Sequence, residues 1–533
     1  MSSAAARRWQ QKFLPALLGV ALLVFVGYSW KCFRLSASAN GYYRGNLQDQ
    51  LNAFTAGLNF AHCGFLKLHF LPYHHEYRAD CLFASKPYTH LLIGSQVISG
   101  VLQRLGIHQF TSQRLVLYIL SVFSVIFWWK SCQLLAAEGG ITAEHAMPKI
   151  AVALILASPW LIYWAGNLHT WTYSDFFAAL GLWLILSGRK WQYGICVFLA
   201  AFFDWELIIF FSVLGAFRLY QEYRTHPQAL WHLSAWFAVF VLAPVCAVGL
   251  MLLMNTGYFG NVAGAVHDLT DAAAVRMGLA GAAYTFSGHA AKFLFAVLWY
   301  YGSSVLVLAV IGIRQCWKQA TPWPIVILIA GLLWQLVFRQ HSFVHAYTAR
   351  ILGPGVFICA AVGGVTLLSH PIPRWRVCGG VLLLLGVLRL PLGAEVSENP
   401  VGLYFWQKAV HSTDSATLGW VLSGVRSTFE HCLGKKALID ELASRSDVPK
   451  GLDAYMFVGP NGQFVLAKED DQRMLDARNL PPALTPHLTK SEPAYTDKSN
   501  ALDSMTTTPA TIAIKGRPSR IRGLLLTLYL RLI

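Results

Sequence analysis

Four acids and a set of basic residues stand where apolar runs meet polar turns, and they are the first sign of chemistry in this sequence. Asp49, within Asn46, Leu47, Gln48, Asp49, Gln50, opens an amphipathic stretch after the first apolar run. A carboxylate at a membrane boundary can take the proton of an attacking hydroxyl, or it can simply be a first-turn acid favoured by the helix dipole. Lys86 stands just before Pro87, with Tyr88, Thr89 and His90 following. Proline suits a first helical turn. A lysine beside it can hold a lipid-linked phosphate as a point charge, or it can snorkel like any interfacial lysine. A third group, His169, Tyr173 and Asp175, sits in a short turn at the start of another apolar run.

Two further constellations are denser. Arg339, Gln340, His341, His345, Tyr347 and Arg350 fall in one turn between apolar runs, with Pro354 just beyond. Two arginines and two histidines can bind phosphate through charge-assisted hydrogen bonds, and the histidines and Tyr347 add polar groups that anchoring does not require. Asp204 and Glu206 flank Trp205 between two apolar stretches, where acids are costly unless they face a cavity, a partner or water. His267, Asp268, Asp271 and His289 lie in a longer polar loop and read equally well as solvated residues. His341 and His345 are four apart, the one spacing here that suits a metal on a helix, but no continuous helix is expected across that turn. The residues themselves therefore give no metal set.

The elements that position these residues are membrane spans. Of 533 residues, 55% are hydrophobic and 13% charged, too little polar surface to solvate a soluble chain of this size. A span needs roughly 20 apolar residues. Such runs occur near 13–31, 114–136, 149–166, 172–188, 231–254, 291–313, 323–338, 350–369 and 377–395, while 192–220 reads as two short helices meeting at Asp204. The expectation is an all-α polytopic fold of about eleven spans over 1–395, followed by a polar extracytoplasmic tail over 396–533, disordered in part after 480.

Lys and Arg mark cytoplasmic loops. Arg7, Arg8 and Lys12 precede the first run, which is read as a retained span because no small-residue cleavage site follows promptly. Arg189 with Lys190, Arg218 with Arg224, Arg314 with Lys318 and Arg374 with Arg376 then fall on the same side in four separate loops. This predicts a cytoplasmic N-terminus, an outer C-terminus, and outer loops at 32–113, 167–172, 255–290 and 339–349. Within 32–113, the stretches 47–66 and 88–105 are expected to lie along the membrane surface. Cys63 and Cys81 share that outer loop and are expected to pair in an oxidising compartment. The net charge of +16 is spread over segment ends rather than gathered on one face, which argues against nucleic acid.

The order of these elements resembles the GT-C superfamily of integral membrane glycosyltransferases, which includes protein O-mannosyltransferases and the aminoarabinose transferase of lipid A. The likeness covers about residues 13–370. It rests on a first span, an outer-loop acid (Asp49 with Gln50), a Lys-Pro step before a surface helix (Lys86, Pro87) and an acid opening a later span (Asp175). The resemblance implies a sugar carried on a polyprenyl phosphate in a bacterial-type inner membrane. The sugar would move to a glycan, lipid or protein acceptor on the periplasmic side. It makes Asp49 the base or an acceptor-positioning acid, Asp175 a second acid or metal-side group, and Lys86 the phosphate contact; the family's late outer loop lies beside the donor, which suits Arg339, His341, His345, Tyr347 and Arg350 as contacts of the donor phosphate. Gln50, His90, His169, Asp204 and Glu206 would line the site. The family often has two adjacent acids where this chain has Asp49 and Gln50, so a divalent cation enters only as an option. A lipid-linked sugar flippase and an O-antigen-type polymerase or ligase are the rivals. The first predicts repeated halves, and the second a dominant late outer loop; neither is evident in the sequence.

Overall fold

The structure is a computed structural model describing residues 3–35, 47–73, 81–83, 87–89, 93–138, 146–168, 170–225, 230–279, 286–344, 346–390, 455–458 and 464–467. Contacts divide the chain into two units. One comprises 1–31, 117–398 and 519–533, and the other 32–116 and 399–518.

In the larger unit every expected apolar run contains helix where it is described, the run 377–395 being helical to Val387. The helices are α1 (Ser3–Leu35), which continues into the smaller unit, α4 (Phe110–Glu138), α5 (Ala146–Leu156), α6 (Pro159–Trp164), α7 (Thr170–Leu186), α8 (Lys190–Ala200) and α9 (Trp205–Thr225). They continue with α10 (Leu230–Phe259), α11 (Val262–Met277), α12 (Phe286–Lys318), α13 (Trp323–Val337), α14 (Arg339–Val344), α15 (Gly353–Leu368) and α16 (Pro373–Val387). Among the described residues, four segments are long and apolar enough to cross a membrane: 11–33, 110–138, 234–259 and 348–368. The chain is an integral membrane protein. The remaining apolar helices are shorter, interrupted or charged near one end.

Two departures from the expected runs have local causes. The run 149–166 breaks into α5 and α6 because Ser158 caps the second helix, accepting from the Leu161 N–H, and Pro159 takes its first position. The expected outer loop 255–290 contains a helix, α11, capped by the Asn261 side chain on the Gly264 N–H and ended by Gly278 at φ +78°.

Helix α15 is the centre of this unit. Its span is 94% buried, against 17% for α10, so α15 faces protein and α10 faces lipid. Lipid gives no hydrophobic drive to helix pairing, so close backbone approach between small residues must supply it. Added Cβ atoms would meet the Cys359 carbonyl at Gly312, the Leu308 carbonyl at Gly363 and the Leu328 backbone at Gly355.

In the smaller unit, α2 (Leu47–Cys63) packs on α3 (Gly94–Arg104), the two stretches expected to be amphipathic. Ala56, Phe60 and Leu68 form its core. The Cys63 and Cys81 sulfurs are bonded. Buried Arg114 donates to the Phe33 carbonyl at 2.8 Å and stacks on the Phe33 ring, closing the end of α1. The tail contributes an antiparallel hairpin, β1 (Tyr455–Val458) with β2 (Phe464–Ala467). The rest of 396–533, including the stretch after 480, lies outside the described residues.

Candidate functional site

Four charged side chains from three separated parts of the larger unit meet in its interior. Arg350 is the hub. It lies in a 3-10 turn (Ala346–Leu352) leading into α15 and is 2% exposed. Its Nη2 donates to Asp204 Oδ2 at 2.7 Å and to Glu206 Oε2 at 3.1 Å, while Nη1 stands 3.6 Å from Asp175 Oδ1. The guanidinium carbon sits 3.9 Å from the centroid of the Trp171 ring, a cation–π contact strengthened by burial.

Local chain geometry fixes each partner. Asp204 occupies the break between α8 and α9 and caps α9, its Oδ1 accepting from the Glu206 N–H at 2.8 Å. The positive end of α9 favours a carboxylate there. Ser174, one residue before Asp175 on α7, donates to Asp204 Oδ2 at 2.6 Å and so joins the two acids. Tyr173 stacks on Phe203 at 4.6 Å, pinning the α8–α9 break against α7. On the other side, the Tyr301 hydroxyl donates to the Ala349 carbonyl at 2.6 Å. Tyr301 is placed by a kink in α12 at Gly302 (φ +75°), where Arg389 takes up the Tyr300 carbonyl at 2.7 Å. Gln335 and Thr348 bond reciprocally and hold the turn on α13.

This cluster is charge-rich and incompletely satisfied. Asp175 Oδ2, Glu206 Oε1, Arg350 Nε and the Tyr173 hydroxyl are buried without a hydrogen-bond partner among the described residues. Buried polar atoms are nearly always paired, so open oxygens on two of the acids that face Arg350 mark a place able to receive donors. Three carboxylates against one guanidinium also leave it acidic overall. Among the described residues, no group of three or more His, Cys, Asp or Glu is placed to hold a metal ion.

Arg350, expected as a phosphate contact, stands here against three carboxylates. With three carboxylates around it, its charge is already met, and an incoming phosphate would face those acids as well. Arg339 is exposed at the start of α14. His341 stands edge-on to the Trp334 ring at 6.0 Å, and the Tyr347 backbone lies in the same turn as Arg350. His267 pairs with Asp271 on the exposed surface of α11 at 2.8 Å. Asp49 lies in the first turn of α2 and Gln50 beside it is buried, both in the smaller unit. Lys86, His90, His169 and His345, and the side chains of Asp49, Tyr347 and His289, fall outside the described residues.

The sequence sets Asp204 and Glu206 together as a pair but ties neither to Asp175 or Arg350. Sequence reasoning missed Ser174, Trp171 and Tyr301, which hold the group together. The Trp-Thr-Tyr-Ser-Asp string 171–175 was a usable signal, since polar groups at every second or third position opening an otherwise apolar helix need partners.

No protein-family model matches the chain, and no curated protein matches it. Among solved structures the chain is similar to the oligosaccharyltransferase of Archaeoglobus fulgidus, solved tethered with an acceptor peptide containing the NVT sequon through a disulfide bond. The identity is 12%, over 74% of this chain and 57% of that one, with a TM-score of 0.41. The chain thus spans little more than half the length of that protein.

Proposed function

We propose that this protein is a membrane glycosyltransferase that moves a sugar from a polyprenyl phosphate to an acceptor hydroxyl on the extracytoplasmic face. One observation carries the reading. Asp175, Asp204 with Glu206, and Arg350 come from three separate stretches of the apolar helix bundle, and all three acids reach the guanidinium within 3.6 Å. Ionisable groups inside an apolar helix bundle mark a functional site by default, and this one keeps open acceptor atoms on two acids.

In the proposed reaction the acceptor oxygen attacks the anomeric carbon, and its proton passes to a carboxylate. The bond from the anomeric carbon to the phosphate oxygen breaks, and its electron pair leaves with the polyprenyl phosphate. Inversion at the anomeric carbon follows from a single displacement. Asp49 is the proposed base, Asp175 the acid that orients the sugar or acceptor through its open Oδ2, and Lys86 the phosphate contact. Arg350 becomes a positioning residue that fixes the three acids. The donor must be lipid-linked, because nucleotide sugars are confined to the cytoplasm. The disulfide between Cys63 and Cys81 fits an oxidising outer compartment for the loop that carries Asp49 and Lys86.

A buried charge cluster also suits a carrier that passes the lipid-linked sugar across the membrane. Proteoliposomes loaded with a polyprenyl-phosphate sugar separate the two readings. Transfer to acceptor should appear with the wild type and fall about 10²-fold or more in Asp49→Asn and Asp175→Asn. Full transfer by both variants would remove the site assignment, and translocation without transfer would favour the carrier.

A further inference from the structure

We propose that the groove between α8 and α10 holds an acyl chain of an anionic glycerophospholipid, with its phosphate against Arg189 and Lys190. The groove has a volume of about 410 Å³ and is lined by Trp191, Gly194 and Ile195 of α8 and Val239, Leu242 and Cys246 of α10. Volumes of this order hold small-molecule-sized ligands.

Its shape follows from residue size. Gly194 lets Val239 approach, an added Cβ meeting the valine methyl at 3.0 Å, so the floor is smooth and shallow. Trp191, Ile195 and Leu242 stand as walls, 58%, 61% and 55% exposed. The two helices run the same way, since Tyr193 meets Trp236 and Gly194 meets Val239. Seven residues separate Trp191 from Phe198 and Val239 from Cys246, so the groove runs roughly 10 Å along the bilayer normal. That direction suits a hydrocarbon chain.

Charge selects the headgroup. Lys190 Nζ lies 6.0 Å from the Trp191 ring, at the end of the groove where the chain turns out of the membrane. Arg189 precedes it, over the Trp183 ring at 4.8 Å, and gives α8 no side-chain cap. Neither cation has an acidic partner among the described residues. Two such cations attract a phosphate at headgroup depth. The Arg350 cluster lies beyond the opposite end of α8, at Asp204, so this lipid is not the proposed sugar donor.

The test uses the full chain in nanodiscs with a diazirine on the acyl chain of either phosphatidylglycerol or phosphatidylcholine. Adducts are mapped to α8 and α10 by peptide mass spectrometry. Labelling by the phosphatidylglycerol probe should exceed that by the phosphatidylcholine probe on the order of tenfold. The excess should vanish in Arg189→Gln/Lys190→Gln, and labelling by both probes should vanish in Ala243→Phe, which fills the groove from its lipid side. Equal labelling by the two probes, indifference to all three substitutions, or displacement of the probe by polyprenyl phosphate would each overturn the proposal. A disulfide-linked pair of chains through Cys246 would overturn it too, by placing a second copy in the groove.

Discussion

Arg350 ties three acids together in the interior of the larger unit. Its guanidinium is shared by Asp204 and Glu206 within 3.1 Å and by Asp175 at 3.6 Å. Removing one member of a buried ionic group strands the others in a low dielectric, at a cost of roughly 3–5 kcal/mol. Arg350→Ala should therefore lower the melting temperature in detergent far more than Ser174→Ala, which removes one hydrogen bond to Asp204 worth about 1 kcal/mol. Arg350→Lys should recover only part of the loss. An ammonium is a compact point donor and cannot span Asp204 and Asp175 as the planar fork does. Equal melting temperatures for Arg350→Ala and the wild type would show that these contacts do not hold the fold. The sequence made each acid visible, because a carboxylate in an apolar run is conspicuous. It could not make the pairing visible: Arg350 lies 146 residues from Asp204 and 144 from Glu206, and no local spacing couples positions that far apart.

Among the elements, the pairing of α12 with α15 is the one least tolerant of change. Gly312 and Gly363 face each other's helices so closely that any side chain would strike backbone, which cannot swing aside as a side-chain tip can. Gly363→Val should cost about 1–3 kcal/mol or more by overpacking, seen as a lower aggregation temperature of the detergent-solubilised protein. Gly249→Val on lipid-facing α10, where an added Cβ meets nothing within 4 Å, should leave that temperature nearly unchanged. In the smaller unit the disulfide closes a loop across a sequence separation of 18. Replacing both cysteines by serine should remove about 3 kcal/mol of loop-closure stabilisation, read as faster protease cleavage between Leu66 and Leu82. Helix positions were legible because apolar runs announce them. The smaller breaks were legible too, had capping been weighed: Ser158-Pro159 and Asn261 with Gly278 are helix-boundary signals within the residues themselves. Helix partners were not legible, because a run that is apolar all round does not say which face meets protein.

At the scale of the whole molecule, orientation is the quantity on which the proposed chemistry turns. Each of the four basic loops carries an exposed aromatic beside it: Trp191, Tyr220 with Tyr223, Trp317 and Trp375 are 58%, 53%, 57%, 78% and 42% exposed. Aromatic rings gather at headgroup depth and cations on the cytoplasmic side of it, so the two signals mark the same boundary of the bilayer. The proposed function needs the loop that carries Asp49 and Lys86 on the other face, where only a lipid carrier can present an activated sugar. The expected outcome is testable with single cysteines in a chain that keeps only Cys63 and Cys81 of its own. A membrane-impermeant maleimide added to spheroplasts should label Ala79→Cys and Pro400→Cys and leave Thr225→Cys untouched until the membrane is opened. The opposite pattern would put Asp49 and Lys86 among nucleotide sugars, and the requirement for a polyprenyl phosphate would disappear with it. Labelling of Ala79→Cys from outside together with Pro400→Cys from inside would keep the proposed site. It would also make the number of spans before the tail even rather than odd.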